Sequence, residues 1–174
     1  MHDQLHLFMD RMMTPLGELI LLSDECGHLR AVDWADHEPR MRRLLDRQYR
    51  ATHVTIEPRR NPFGLTSALE SYFEGDLERL QSLPVSTGGT VFQRRVWQAL
   101  RSIPVGATIS YGTLAQRLGR PAAVRAVGLA NGANPVSIVV PCHRVIGADG
   151  SLTGYAGGVE RKQALLELEQ DALF

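Results

Sequence analysis

Residues 110–131, Ser110-Tyr111-Gly112-Thr113-Leu114-Ala115-Gln116-Arg117-Leu118-Gly119-Arg120-Pro121-Ala122-Ala123-Val124-Arg125-Ala126-Val127-Gly128-Leu129-Ala130-Asn131, read as two helices around a tight turn. Ser110 suits the N-cap of a helix over Tyr111–Leu118, because its hydroxyl can accept from an unpaired amide of the first turn. Gly119-Arg120-Pro121 is turn chemistry, and the fixed φ of Pro121 favours the start of a second helix running to about Asn131. Helix, short glycine-containing turn and helix make a helix-turn-helix pattern. The second helix carries Ala122, Ala123, Ala126, Gly128, Ala130 and Gly132, with Arg125 as its long basic residue. A helix that reads the major groove offers several amide or basic side chains to base edges. Small residues instead permit close approach to a minor groove or tight packing between helices, and the composition leaves both open.

Working outward, Thr90 and Gln93 form a capping box before a helix with Val91, Val96, Trp97 and Leu100 on its apolar face. Pro104-Val105-Gly106 ends it. Ser86-Thr87-Gly88-Gly89 is a small-residue linker and divides the chain into domains over 1–86 and 87–174. The first domain reads as mixed α/β. Strands are expected over Leu16–Leu22 and Leu29–Trp34, joined by turn chemistry at Ser23–Gly27. A helix opens at Pro39, with Met41, Leu44, Leu45 and Tyr49 at helical spacing. A short strand near Val54–Ile56 and a helix over Thr66–Glu74 follow, and Gly75 stops the latter. His28, His37 and His53 near Cys26 fit no metal-ligand spacing, so no metal is expected.

On the other side, Val136-Ser137-Ile138-Val139-Val140 is β-branched enough to predict a buried strand. It runs into Pro141-Cys142-His143-Arg144-Val145-Ile146-Gly147, where proline breaks the ladder. A histidine and an arginine directly after Cys142 predict cationic surroundings, which raise the thiolate fraction of a cysteine. A buried, inert cysteine is the competing reading. Glu169 shares a helical face with Lys162, Leu165 and Leu166 in a helix from Val159 to about Gln170. There it is either a buried carboxylate with a partner or a partly exposed glutamate of a terminal helix.

The 174 residues are 44% hydrophobic and 22% charged, as in an ordinary globular protein. The formal net charge of zero hides an uneven distribution. Residues 1–78 carry nine arginines and fourteen carboxylates, whereas residues 79–148 carry eight arginines and no Asp or Glu. Such a stretch around the cysteine predicts an anionic partner. No apolar run approaches the roughly 20 residues of a membrane span, and Met1-His2-Asp3-Gln4 does not open a secretory signal. Two cysteines, Cys26 and Cys142, fit a reducing, cytoplasmic setting.

These residues resemble a known family. Arg125-Ala126-Val127-Gly128, Asn134-Pro135, Ile138-Val139-Val140-Pro141-Cys142-His143-Arg144-Val145 and Gly154-Tyr155-Ala156-Gly157-Gly158 are similar to the O6-alkylguanine-DNA alkyltransferases. Thr14-Pro15-Leu16-Gly17, Thr87-Gly88-Gly89-Thr90 and Phe92-Gln93 extend the likeness along the whole chain, to the stand-alone bacterial form. The resemblance implies an α/β ribonuclease-H-like N-terminal domain. It implies a mainly α-helical C-terminal domain with a winged-helix-like helix-turn-helix that enters the minor groove.

The implied activity is direct reversal of O6-alkylguanine, and less readily O4-alkylthymine, in double-stranded DNA. Cys142 takes the alkyl group irreversibly and stoichiometrically after the nucleotide is flipped out, with no cofactor. A monomer is implied, with cooperative binding along DNA open. By resemblance His143 activates Cys142 through a water and Glu169 orients His143. Arg125 fills the space the base leaves, Tyr111 presses on the 3′ phosphate, and Asn134 ties the helix-turn-helix to the cysteine segment. Tyr155 donates to guanine N3, and the carbonyls of Cys142 and Val145 accept from the exocyclic amine. Ala156 and Gly157 lie along the base. Animal members have serine where this chain has Ala156, so only the backbone amide remains there to meet O6. Three other readings fare worse on the residues. A damage-binding relative without transfer would lack Cys142, a cysteine hydrolase leaves the helix-turn-helix unexplained, and a regulator would need four further cysteines.

Overall fold

The computed structural model describes residues 3–171. Residues 1, 2 and 172–174, which begin and end the two expected domains, lie outside the described residues. The chain separates into two compact units, residues 1–89 and 90–174.

The first unit is built on a four-stranded sheet of order β3-β2-β1-β4. β1 (Asp3–Thr14), β2 (Gly17–Ser23) and β3 (Leu29–Trp34) form an antiparallel meander, and β4 (Thr52–Pro58) adds in parallel to β1. The crossover to β4 is α1 (Glu38–Gln48), with Pro39 in its first turn. Register places Leu7, Ile20, Leu22 and Ala31 on one face, where Met41 and Leu45 of α1 complete a buried cluster. α2 (Leu65–Phe73) packs against β1 and ends before Gly75, whose φ of +112° suits glycine. β1 was not expected from the sequence. Its Phe8 and Met12 are buried as well as Leu7, so the strand lacks a clean alternation of apolar and polar residues.

The second unit opens with α3 (Val91–Leu100), capped by the expected reciprocal box between Thr90 and Gln93. Val96, Trp97 and Leu100 are buried, and Trp97 Nε1 donates to Ala130 O at 2.8 Å, fixing α3 to α5. The short strand β5 (Ile109–Ser110) leads into α4 (Tyr111–Arg117), whose N-cap Ser110 accepts from the Thr113 amide. α5 (Val124–Gly132) packs against α3 and α4, completing the helix-turn-helix. Pro121 does not start α5 as expected. Its turn first closes through the Ala123 amide on Arg120 O, so the helix begins at Val124.

The strand expected over Val136–Val140 is also absent. Asn134 draws this segment into a buried turn instead: its Oδ1 accepts from the Val136 amide at 3.0 Å and its Nδ2 donates to Val140 O at 2.7 Å. Ile138 consequently has φ of +72°, a costly conformation for a β-branched residue. The ladder comes after the cysteine, where β6 (Val145–Ile146) pairs in parallel with β5. α6 (Val159–Asp171) closes the unit. Among the described residues no helix is long and apolar enough to cross a membrane.

Candidate active site

Cys142 opens a single 3-10 turn, Cys142–Arg144, and is 7% exposed. Its amide donates to Val140 O at 2.8 Å, so the turn that Asn134 shapes also sets the cysteine backbone. Pairing of β5 with β6 brings the start of α4, and with it Tyr111, beside the same segment.

His143 and Glu169 are fully buried, and His143 Nε2 lies 2.6 Å from Glu169 Oε1. α6 presents Lys162, Leu165, Leu166 and Glu169 to the interior, the face expected from their spacing. Burial alone would push the Glu169 carboxyl up, but hydrogen bonds and charge from His143 and Arg144 outweigh it and hold it at about 2. An ionised carboxylate only accepts, so Nε2 carries the proton of the neutral imidazole and Nδ1 holds the lone pair. Nδ1 is buried and has no hydrogen-bond partner among the described residues. Burial also lowers the pKa of His143, reinforced by Arg144 and Lys162 and opposed by Glu169. The result is a neutral base beside the cysteine.

The expected cationic pair around Cys142 needs correction. Arg144 turns its guanidinium onto Glu169 and the Ile103 carbonyl, so its charge is compensated away from the thiol. Lys162 supplies a positive charge instead, and its ammonium interacts electrostatically with Cys142. Lys162 is fully buried and donates to Val145 O at 2.6 Å and Thr153 O at 2.9 Å. Removal from water lowers its pKa, and the cysteine opposes that.

Tyr111 donates from its hydroxyl to Thr153 O at 3.1 Å, with the Lys162 Nζ 5.9 Å from its ring centroid. Burial and the nearby Cys142 raise its pKa. Val145 is buried on β6 and gives its carbonyl to Lys162. Tyr155 and Gly157 are buried and Ala156 half-buried in the loop before α6, where the Gly158 amide donates to Tyr155 O at 3.0 Å. Arg125 stands on the exposed side of α5. The structure thus gathers Cys142, His143, Glu169, Tyr111, Asn134 and Val145 through a connected set of contacts, whereas Arg125 stands apart from them.

Sequence reasoning missed the grip of Arg144 on Glu169 and the two carbonyls held by Lys162. It also missed Asn131, a buried residue of α5 whose Nδ2 donates to Cys142 O at 3.4 Å. A lysine on an apolar helical face, with no carboxylate three or four residues away to pair with, was the available signal for Lys162.

This constellation combines a cysteine, a neutral base and a helix-turn-helix in one unit, and comparison with known proteins decides its kinship. The family described as 6-O-methylguanine DNA methyltransferase, DNA binding domain, matches residues 91–171, and its ribonuclease-like domain matches residues 7–87. The chain belongs to the 6-O-methylguanine DNA methyltransferase family. It is 53% identical over 165 residues to the methylated-DNA--protein-cysteine methyltransferase of Shigella flexneri, covering 95% of this chain and 96% of that one. Identity to the Salmonella typhimurium protein of the same name is 54%, with the same coverage. The crystal structure of Mycobacterium tuberculosis OGT in complex with DNA superposes with a TM-score of 0.77 at 42% identity, over 96% of this chain and 94% of that one. Family membership fixes the two-part architecture, an α/β ribonuclease-like unit followed by a DNA-binding helical one.

Proposed function

We propose that this protein repairs alkylated DNA by moving the alkyl group from guanine O6 to the sulfur of Cys142. The observation that carries the reading is the buried Cys142–His143–Glu169 set with an uncommitted His143 Nδ1, placed in a helix-turn-helix unit. The names of the relatives, and the DNA bound to the mycobacterial structure, support DNA as substrate.

In this reading the Cys142 proton passes through a water to His143 Nδ1, and Glu169 steadies the imidazolium that forms. The thiolate attacks the alkyl carbon, an S–C bond forms, and the C–O6 bond breaks with its electron pair leaving on guanine. A phenol donating to guanine N3 offsets that charge. Tyr155 has this role by resemblance, but we assign it to Tyr111, which lies beside Cys142 and Lys162 and would turn its one hydroxyl proton from Thr153 O to N3. The thioether product has no leaving group, so each molecule acts once. Because the target lies inside the duplex, the nucleotide must be flipped out, at a cost of about a few kcal/mol. Arg125, exposed on α5, would enter the minor groove and fill the gap. The carbonyls of Cys142 and Val145 would meet the guanine amine, while Ala156 and Gly157 lie along the base. O4-alkylthymine is the lesser substrate in the same proposal.

Mixing the protein with equimolar duplex containing O6-methylguanine and weighing the intact chain and its Cys142 peptide tests this. One methyl on Cys142, no second turnover and no gain on Cys142→Ser are expected. Repeated turnover, or binding without a mass gain, overturns the proposal.

Lys162→Met separates charge from packing. It relieves a buried ammonium of its desolvation cost but removes donors from two carbonyls, so stability changes by only about 1 kcal/mol. The thiolate loses a nearby cation, and the single-turnover rate is expected to fall about tenfold. Calorimetry and quenched-flow transfer assays on the same preparation check the two halves.

A further inference from the structure

We propose that Arg144 is a positioning residue for the alkyl transfer: its two-point grip on Glu169 keeps His143 a neutral imidazole with Nδ1 available for a proton. The inference rests on the transfer reading above and adds a residue to it.

Arg144 is 5% exposed and uses three of its nitrogens. Nε donates to Glu169 Oε2 at 2.9 Å, Nη2 to Oε1 at 2.9 Å and Nη1 to Ile103 O at 2.7 Å. Oε1 is therefore shared between Arg144 and His143, while Oε2 faces Arg144. Consecutive side chains of one 3-10 turn converge on one carboxylate from α6.

The electrostatic consequence follows from counting buried charges. A lone carboxylate 2.6 Å from a buried imidazole favours the imidazolium. A histidine already protonated cannot take the Cys142 proton. Arg144 compensates Glu169, so protonating His143 would leave the cluster with excess positive charge, to which Lys162 of α6 adds. The other groups facing the imidazole agree with this balance. The turn itself contributes Cys142 and Arg144, α6 contributes Lys162 and Glu169, and α4 brings Tyr111 to the cysteine. α3 also packs on the turn, but its Arg94 and Arg95 are exposed. Lysine cannot replace this grip, because an ammonium lacks the planar fork that serves both oxygens.

The test follows single-turnover methyl transfer from O6-methylguanine duplex by wild type, Arg144→Gln and Arg144→Lys from about pH 5 to about pH 9. Affinity for undamaged duplex is measured separately, and the ¹⁵N shifts of the His143 ring are recorded on each folded protein. Arg144→Gln is expected to raise the acid-limb midpoint by about one pH unit or more and to show imidazolium shifts at neutral pH, with Arg144→Lys between it and wild type. A folded Arg144→Gln that loses rate equally at every pH overturns the proposal, as does an imidazolium in wild type at neutral pH. Should Arg144→Gln not fold, the wild-type ring shifts and the Arg144→Lys midpoint decide. Absence of transfer by wild type would instead overturn the alkyl-transfer reading, and the ring shifts would still judge the role of Arg144.

Discussion

Glu169→Gln is expected to lower the unfolding free energy by about 3 to 5 kcal/mol, the usual consequence of removing one member of a buried ionic cluster. Arg144 would keep its charge in the interior with only the neutral amide oxygen and the Ile103 carbonyl to receive it. His143 would lose its charged acceptor, so transfer falls with stability. The pH dependence identifies the cause. Glu169 has a folded pKa of about 2 against an ordinary 4.5, a difference worth about 3 kcal/mol above the unfolded value. That stabilisation is complete above the unfolded pKa and disappears as pH falls through the folded one. His143 acts earlier: its folded pKa is lowered from 6.5, so the unfolded chain takes the proton first and stability already declines below that pH. Wild type should lose stability in two stages on acidification, beginning near neutrality. Glu169→Gln should lack the lower stage, and the gap between the proteins should close towards about pH 2. Urea unfolding of both proteins across this range measures it, and a gap independent of pH would contradict the ionic account.

What was legible in the sequence was chiefly what local chemistry decides. Ser110, Thr90 with Gln93, and Gly75 act on amides or dihedral angles within a few residues, so helix ends could be read where they form. Glu169 could be placed by its spacing from Lys162, Leu165 and Leu166. Its partners were not legible from local pattern: His143 was named only through the family resemblance and Arg144 not at all, because they reach it from a turn 26 and 25 residues away. The same limit explains the mistaken source of positive charge at Cys142. Sequence adjacency favoured Arg144, whereas folding aims that side chain at α6 and brings Lys162 back to the cysteine. β1 escaped notice because burial on both sides erases the alternation that marks a strand.

Asn134→Ala is expected to cost about 2 to 4 kcal/mol and to slow transfer by more than tenfold, because one side chain creates the turn that a β-branched run would otherwise resist. Val136 to Val140 have the composition of a strand, yet all five residues are buried without one. The amide of Asn134 supplies what a ladder would have given, an acceptor for the Val136 N–H and a donor for Val140 O. It also holds Ile138 in a left-handed conformation, which costs about 1 to 3 kcal/mol. Val140 O accepts from the Cys142 amide too, so relaxation of the turn moves the nucleophile directly. Asn134→Asp isolates the donor. Its carboxylate still accepts from Val136 but turns an oxygen towards Val140 O, and burial raises its pKa above that of the unfolded chain. A group whose folded pKa is raised binds its proton preferentially in the folded state, so the deficit of Asn134→Asp relative to wild type should shrink as pH falls from about 7 to about 5. The protonated acid then restores an O–H donor to Val140. Asn134→Ala has no such proton and should show no matching recovery, a contrast that equilibrium unfolding at the two pH values reads directly.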